Sequence, residues 1–343
     1  MSAPPEAPRR GIVVFGATLA TMVEAAEAAD RAGFDAIWTS ELYNRSATVT
    51  LAAIAPRTSR AKIGSGILYG VGRSPLMLAA EARDLDELSG GRLILGIGNG
   101  TRRMISDWHG LDGASPAGRM EELVPLVRDL WNLGERPVDH DGRFYRCKIA
   151  ALDEKSWPGD HTIPIYVAGA NRRMIESAGR VADGLLAHTM CSPAYLEEVA
   201  RPAVLAGTAR AGRDPGDVAI GTYALACAAE DADLARREAA AMIAFYATVK
   251  SYAPMFDTRG FAAEAATVRS AFADRDLKTM IAAVTDPMID EFASAGTPAE
   301  VAAALRRYDG IVDEVILSVP SFQVSDERVA ENLALLTASC APR

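Results

Sequence analysis

A chain of 343 residues, 49% of them hydrophobic, is long enough for one large α/β domain with insertions or for two ordinary domains, and it can bury a sizeable core. A formal net charge of -9 argues against nucleic acid or an anionic membrane as a general partner, and no apolar run reaches bilayer-spanning length. Met1 to Arg10 lacks the apolar core of a signal peptide, and Cys147, Cys191, Cys227 and Cys340 are scattered without metal-binding spacing. The expectation is a cytoplasmic protein with reduced thiols and no metal site.

Gly11 to Phe15 reads as a first buried strand. Helical spacing of apolar and alanine positions from Thr21 to Ala32 predicts a helix that Gly33 ends. Asp35 to Thr39 is a second strand, followed by a helix over Val49 to Ala55 and a third strand over Ala61 to Ile67. Ser74-Pro75 starts a helix, serine as cap and proline in the first turn, running to Leu88 before the Gly90-Gly91 break. Leu93 to Ile97 is the fourth strand. It is too short for a helix and too apolar for a surface strand, so it is buried on both faces.

The alternation is interrupted next. Trp108-His109-Gly110 reads as loop, Ser115-Pro116 opens a helix carrying Met120, Leu123, Val124, Val127, Leu130 and Trp131 on one face, and a polar segment holds Arg143-Phe144-Tyr145. His140 and His161 read as loop residues. The rhythm resumes with a strand from Ile163 to Ala168 ending at Gly169, an Asn171-capped helix from Arg172 to Ala182, and a strand over Gly184 to Ala187. A helix begins at Ser192-Pro193, a seventh strand covers Val218 to Ala226, and a long helical region follows. Thr297 and Glu300 form a capping box whose helix reaches Tyr308, Glu314 to Val319 is the eighth strand, and a last helix closes the chain. Eight buried strands with helices between them predict an α/β fold, a (β/α)8 TIM barrel. It is one domain over 1–343, with an insertion at about 101–160 and extra helices before the eighth strand. A doubly wound open sheet is the alternative.

Sites in such a barrel form at the C-terminal strand ends. Here those ends carry glycine, amide and hydroxyl groups, with no carboxylate cluster for a metal and no lysine for a Schiff base. That composition suits a large cofactor that brings its own reactivity to a small-molecule substrate. Gly96, Gly98 and Gly100 remove side chains around Asn99, which fits either a ligand crossing that end or a tight strand-to-loop turn. Ala168, Gly169, Ala170 and Asn171 lead into a helix N-terminus with Arg172-Arg173, a phosphate site or a capped helix with two solvated arginines. Glu41 is a carboxylate at the second strand end, able to donate a proton or to anchor by hydrogen bonding. His109 could line the substrate side or pack the interrupting segment down, and His188, after Ala187, either touches a phosphate or makes a structural hydrogen bond.

Three stretches together resemble the luciferase-like superfamily of flavin- and deazaflavin-dependent oxidoreductases: Ala32 to Glu41, Gly64 to Pro75, and Leu85 to Arg92 running into the Gly98 loop. The resemblance implies a (β/α)8 barrel, a non-prolyl cis peptide at Gly66-Ile67, and usually a homodimer. It further implies a site for coenzyme F420, or alternatively FMN, built from Ser40, Gly66, Ile67, Leu68, Gly98, Asn99 and Gly100. The cofactor phosphate would then be held at Ala168 to Asn171 and at Ala187, His188 and Thr189. The stretch Leu42 to Arg45 and the third-strand bulge look closest to the F420-dependent methylenetetrahydromethanopterin reductase and its actinobacterial relatives. The implied activity is hydride transfer between F420 and a small organic substrate, with Glu41 and His109 as catalytic candidates. An FMN-dependent monooxygenase supplied with reduced flavin by a partner reductase is the alternative, and a non-catalytic flavin-binding barrel the third reading. Two positions depart from the family pattern. Leu42 stands where many F420 enzymes have histidine, and Thr101 where several have an acidic residue.

Overall fold

The computed structural model describes residues 7–133, 136–150 and 162–342. Its elements run β1 (Arg9–Val13), α1 (Leu19–Ala32), β2 (Ala36–Thr39), α2 (Ala47–Ile54), β3 (Lys62–Ser65), β4 (Leu68–Tyr69), α3 (Pro75–Ser89) and β5 (Leu93–Gly98). There follow α4 (Arg102–His109), α5 (Pro116–Trp131), β6 (Val138–Asp141), β7 (Arg146–Ile149), β8 (Ile165–Gly169), α6 (Arg172–Val181), β9 (Gly184–Ala187), α7 (Pro193–Tyr195) and α8 (Arg201–Ala211). The last part comprises β10 (Ala219–Ala228), α9 (Ala232–Ala247), α10 (Ala253–Asp257), α11 (Ala262–Ala273), α12 (Leu277–Ala282), α13 (Asp286–Phe292), β11 (Ala293–Gly296), α14 (Pro298–Ala304), β12 (Glu314–Ser318) and α15 (Asp326–Ser339). The fold is the expected (β/α)8 barrel class, with β1, β2, β3, β5, β8, β9, β10 and β12 as its parallel strands. Among the described residues no helix is long and apolar enough to cross a membrane.

The predicted helix boundaries are explained by their caps. Thr18 and Thr21 form a capping box at the start of α1, and Gly33 ends it at φ 96°. Ser74 accepts from the Met77 N–H ahead of Pro75, and Thr297 and Glu300 form the anticipated box on α14. Each such cap is worth about 1 kcal/mol.

Contacts divide the chain into two compact units. One contains the residues up to Trp38, Ala187–Pro202 and everything from Ala219 on. In it β1 lies between β2 and β12 in parallel register, Ile12 opposite Ile37 and Leu317, and β12 continues to β10. β11, which the sequence reading missed inside the helical region, pairs with β10. Glu314 opens β12 fully buried, and its Oε1 accepts the Trp38 indole N–H at 2.8 Å. Burial pushes its carboxyl up to about 7. Gly11 makes the room, since a Cβ there would lie 2.7 Å from Glu314 Oε1.

The other unit holds Thr39–Leu186 and Ala203–Val218. Here β3 and then β4 pair with β5, and β5 with β8, aligning Ile63 with Leu93, Leu68 with Ile97 and Leu95 with Ile165. All six residues of β5 are buried, as a two-sided strand requires. Two expectations are corrected in the interrupting segment. Trp108 and His109 are helical, in α4, because Thr101 caps it through the Met104 N–H and Gly110 terminates it at φ 64°. The polar segment is an antiparallel hairpin of β6 and β7, so His140 lies on a strand, bonded to Glu122 at 3.0 Å. Ser115 precedes α5 at φ 54° without a side-chain cap bond. His161 and the insertion beyond 150 up to 161 lie outside the described residues.

Candidate active site

The site of the second unit is organised by a break in the third strand. After Ser65 the Gly66–Ile67 peptide bond is cis, and the chain resumes as β4. Neighbouring strand ends hold the break. Gly66 N–H donates to the Thr39 carbonyl at 2.8 Å, Ser40 Oγ donates to the Gly66 carbonyl at 2.8 Å, and Glu41 N–H donates to the Ile67 carbonyl at 3.3 Å. Ser65 Oγ donates to the Gly96 carbonyl and accepts the Gly96 N–H, at 2.8 and 3.0 Å.

This explains the glycine triplet differently from the sequence reading. A Cβ on Gly96 would sit 1.8 Å from the Ser65 carbonyl oxygen, one on Gly98 would meet Ile67 Cδ1 at 2.6 Å, and one on Gly100, at φ 65°, would meet the Tyr69 ring at 2.9 Å. The missing side chains are replaced by the chain's own bulge. Asn99 is buried. Its Nδ2 donates to the Pro116 carbonyl at 2.8 Å, while Oδ1 has no partner among the described residues. Asn99, Gly100, Arg102 and Ser115 line a cavity of about 270 Å³.

Glu41 and His109 come together through Tyr69. The Glu41 carboxylate accepts the Tyr69 N–H at 3.2 Å and both terminal nitrogens of Arg73 at 2.6 Å, a bidentate pair. Arg73 Nε also donates to Glu81 Oε2 at 3.0 Å, and Thr48 Oγ1 donates to the same oxygen at 3.1 Å. Hydrogen bonding to Glu41 holds the Arg73 guanidinium above its usual value against the opposing effect of burial. Burial, reinforced by the Glu41 charge, pushes the Tyr69 phenol up to about 12. The Tyr69 ring meets the His109 imidazole edge-on at 5.4 Å, and Gly72 leaves room for that imidazole. Beyond them Tyr43, at the tip of the Leu42–Arg45 turn, meets Trp108 edge-on at 5.9 Å, and both rings are exposed. Arg73 carried no assignment in the sequence reading. It lies within the Gly64 to Pro75 stretch that carries the family resemblance.

At the end of β8, Gly169 lets α6 pack closely, because a Cβ there would touch Ile175 and Leu185 at 3.0 Å. Asn171 Oδ1 accepts the Met174 N–H at 3.1 Å, so α6 carries its own cap. Arg173 pairs with Glu121 at 3.1 Å, while Arg172 is exposed without a partner among the described residues.

In the first unit, His188 directly follows Ala187. Its Nδ1 accepts the Met190 N–H at 3.2 Å, and its ring lies 3.9 Å from that of Tyr252 and 4.8 Å from that of Tyr246. Burial lowers the imidazole to about 3. Thr189 is hydrogen-bonded to the Tyr246 hydroxyl. Phe245 stacks with Phe322 at 5.0 Å and meets Tyr246 at 5.5 Å. Sequence reasoning missed this aromatic group because its members come from segments far apart in the chain.

A parallel barrel with hydroxyl, amide and backbone groups at its strand ends, and a broken third strand held by its neighbours, suits a large cofactor that brings its own reactivity. The chain belongs to the luciferase-like monooxygenase family, whose sequence model matches residues 3–314, and so to the flavin- and F420-binding luciferase-like oxidoreductases. It is 33% identical to the uncharacterized protein Rv1360 of Mycobacterium tuberculosis over 87% of this chain and 89% of that one. It is 31% identical to the 5,10-methylenetetrahydromethanopterin reductase of Methanolobus tindarius over 86% of this chain and 89% of the relative. The structure of the coenzyme F420-dependent tetrahydromethanopterin reductase from Methanopyrus kandleri superposes with a TM-score of 0.81 at 24% identity, covering 97% of this chain and 98% of that one.

Proposed function

We propose that this protein is an oxidoreductase that transfers hydride between coenzyme F420 and a small organic substrate. The observation that carries this reading is the 31% identity to a 5,10-methylenetetrahydromethanopterin reductase along nearly the whole chain. The strand-end residues fit such a cofactor. Ser40 bonds the Gly66 carbonyl, Ile67 packs against Gly98, and the Asn99 Oδ1 has no partner among the described residues. Ala168 to Asn171 offer backbone and side-chain groups for the rest of the molecule. When bound, the deazaflavin supplies a hydride donor or acceptor.

Glu41 acts as an anchor. Its three accepted hydrogen bonds tie Arg73 and the bulge together, and releasing it as an acid would break a bidentate pair. His109, exposed and next to Tyr69, is the group that holds or passes a proton at the substrate. A second copy of the chain is the proposed protein partner, as the exposed Leu76 and Met77 on α3 and Val49 on α2 support.

Turnover of reduced F420 with a panel of imine and carbonyl acceptors, run with and without oxygen, tests this reading. Oxidation of F420 coupled to acceptor reduction without oxygen supports it. Turnover only with reduced FMN and oxygen replaces it with a monooxygenase fed by a reductase, and absence of turnover with either leaves a cofactor-binding barrel without catalysis.

A further inference from the structure

His188 can do less, and more specifically, than a histidine at a strand end usually can. The Met190 N–H points at Nδ1 at 3.2 Å, and a backbone amide can only donate. A proton on Nδ1 would face another proton, so this contact fixes one neutral tautomer with its single hydrogen on Nε2. The surroundings agree. Tyr252 lies over the ring and Tyr246 meets it edge-to-face, and among the described residues no carboxylate is bonded to either nitrogen. Burial disfavours the imidazolium strongly, and Cys191, whose N–H bonds the His188 carbonyl, is itself held as a thiol. Nε2 has no partner among the described residues.

We propose that His188 donates its Nε2–H to an uncharged acceptor, a carbonyl oxygen or ring nitrogen of a bound planar ligand, and does not clamp a phosphate. This deepens the F420 reading and rests on it for the source of the acceptor. A phosphate favours a cation or several convergent N–H groups, whereas this imidazole offers one N–H, no charge and the rings of Tyr246 and Tyr252 beside it. A flat heterocycle or a carbonyl substrate matches that surface.

The test is ¹⁵N NMR of His188 in the full-length protein, assigned by comparison with His188→Gln. Without ligand, Nδ1 should show an unprotonated and Nε2 a protonated signal from pH 6 to 8. This readout needs no cofactor, so it fails or succeeds separately from the F420 reading. Inorganic phosphate should leave both signals in place. The phosphate-free deazaflavin 8-hydroxy-5-deazariboflavin, or riboflavin, should move Nε2 if the cofactor ring supplies the acceptor. If the substrate supplies it, acetone should move Nε2 instead. His188→Ala should weaken binding of the probe that moves Nε2 about tenfold, and His188→Gln, which keeps an N–H donor, by under about threefold. Two protonated nitrogens at pH 6.5, a saturable shift with phosphate, or no shift with any probe would overturn the proposal.

Discussion

The residues around Glu41 and those around His188 treat electric charge in opposite ways. Around Glu41, charge is kept and paired, with two carboxylates, one guanidinium, a hydroxyl and a backbone N–H sharing short bonds. Around His188, charge is removed, with a neutral imidazole between two tyrosines; Glu314 on β12 follows the same rule, its burial favouring the protonated acid. Pairing engages both Glu41 oxygens in the first region. Burial leaves the second with a donor that nothing in the described protein uses. The groups available to a ligand are therefore not the ones whose charge is conspicuous in the sequence.

The largest effect should come from the scaffold under the charged region. Gly96→Ala places a Cβ on the Ser65 backbone, which cannot swing aside as a side chain can. It should cost more than about 3 kcal/mol, read as a lowered midpoint in urea or as loss of folded protein. An Ala variant of wild-type stability would show that the bulge does not need this glycine.

The buried acid sharpens the other side. The folded carboxyl of Glu314 near 7 lies above the ordinary carboxylate value of the unfolded chain, so between them the unfolded state holds fewer protons. Stability should therefore fall as pH rises from about 4.5 to 7, by on the order of 3 kcal/mol from this group alone. Glu314→Gln should flatten that part of the profile and be the more stable protein at pH 8. An unchanged slope in the Gln variant would remove Glu314 from the comparison.

Replacement of the unpaired histidine at the charged region's edge comes next. His109→Gln should lower kcat about 100-fold with little change in KM if the imidazole handles the substrate proton. A variant that loses only KM would make His109 a contact residue. Arg73→Met leaves Glu41 without its cation and should destabilise the protein by about 2 kcal/mol, less than for a fully enclosed pair because some solvent reaches both groups. Arg73→Lys should recover part of this but not the bidentate geometry.

The strands and their order were legible because two-sided burial leaves short continuous apolar runs, as in Leu93 to Ile97 and Gly184 to Ala187. Capped helices were legible where Ser74-Pro75 and Thr297 to Glu300 mark their starts. The short helix α4 was not, because its first turn, Arg102-Arg103, is polar and its sole buried residue is Ile105. Nor was the β6–β7 hairpin, whose strand Val138-Asp139-His140-Asp141 carries charge where an apolar face would show. Ser40 and Gly66 were named separately from the family pattern, and the structure shows a hydrogen bond between them. Glu41 was found but not its engagement with Arg73, because a pairing between distant residues leaves no local spacing to read. Gly96, Gly98 and Gly100 were noticed for the right property, a missing side chain, but what fills the space is the Ser65 carbonyl, Ile67 and Tyr69.

The most direct measurement of the central claim is a pair of titrations of the purified protein, one with oxidised F420 and one with FMN, followed by absorbance and fluorescence. The proposed function predicts saturable, tight binding of F420 with FMN bound far more weakly. Tight FMN binding with F420 ignored would contradict the hydride-transfer reading, and failure of both would contradict the assignment of these strand ends to a cofactor.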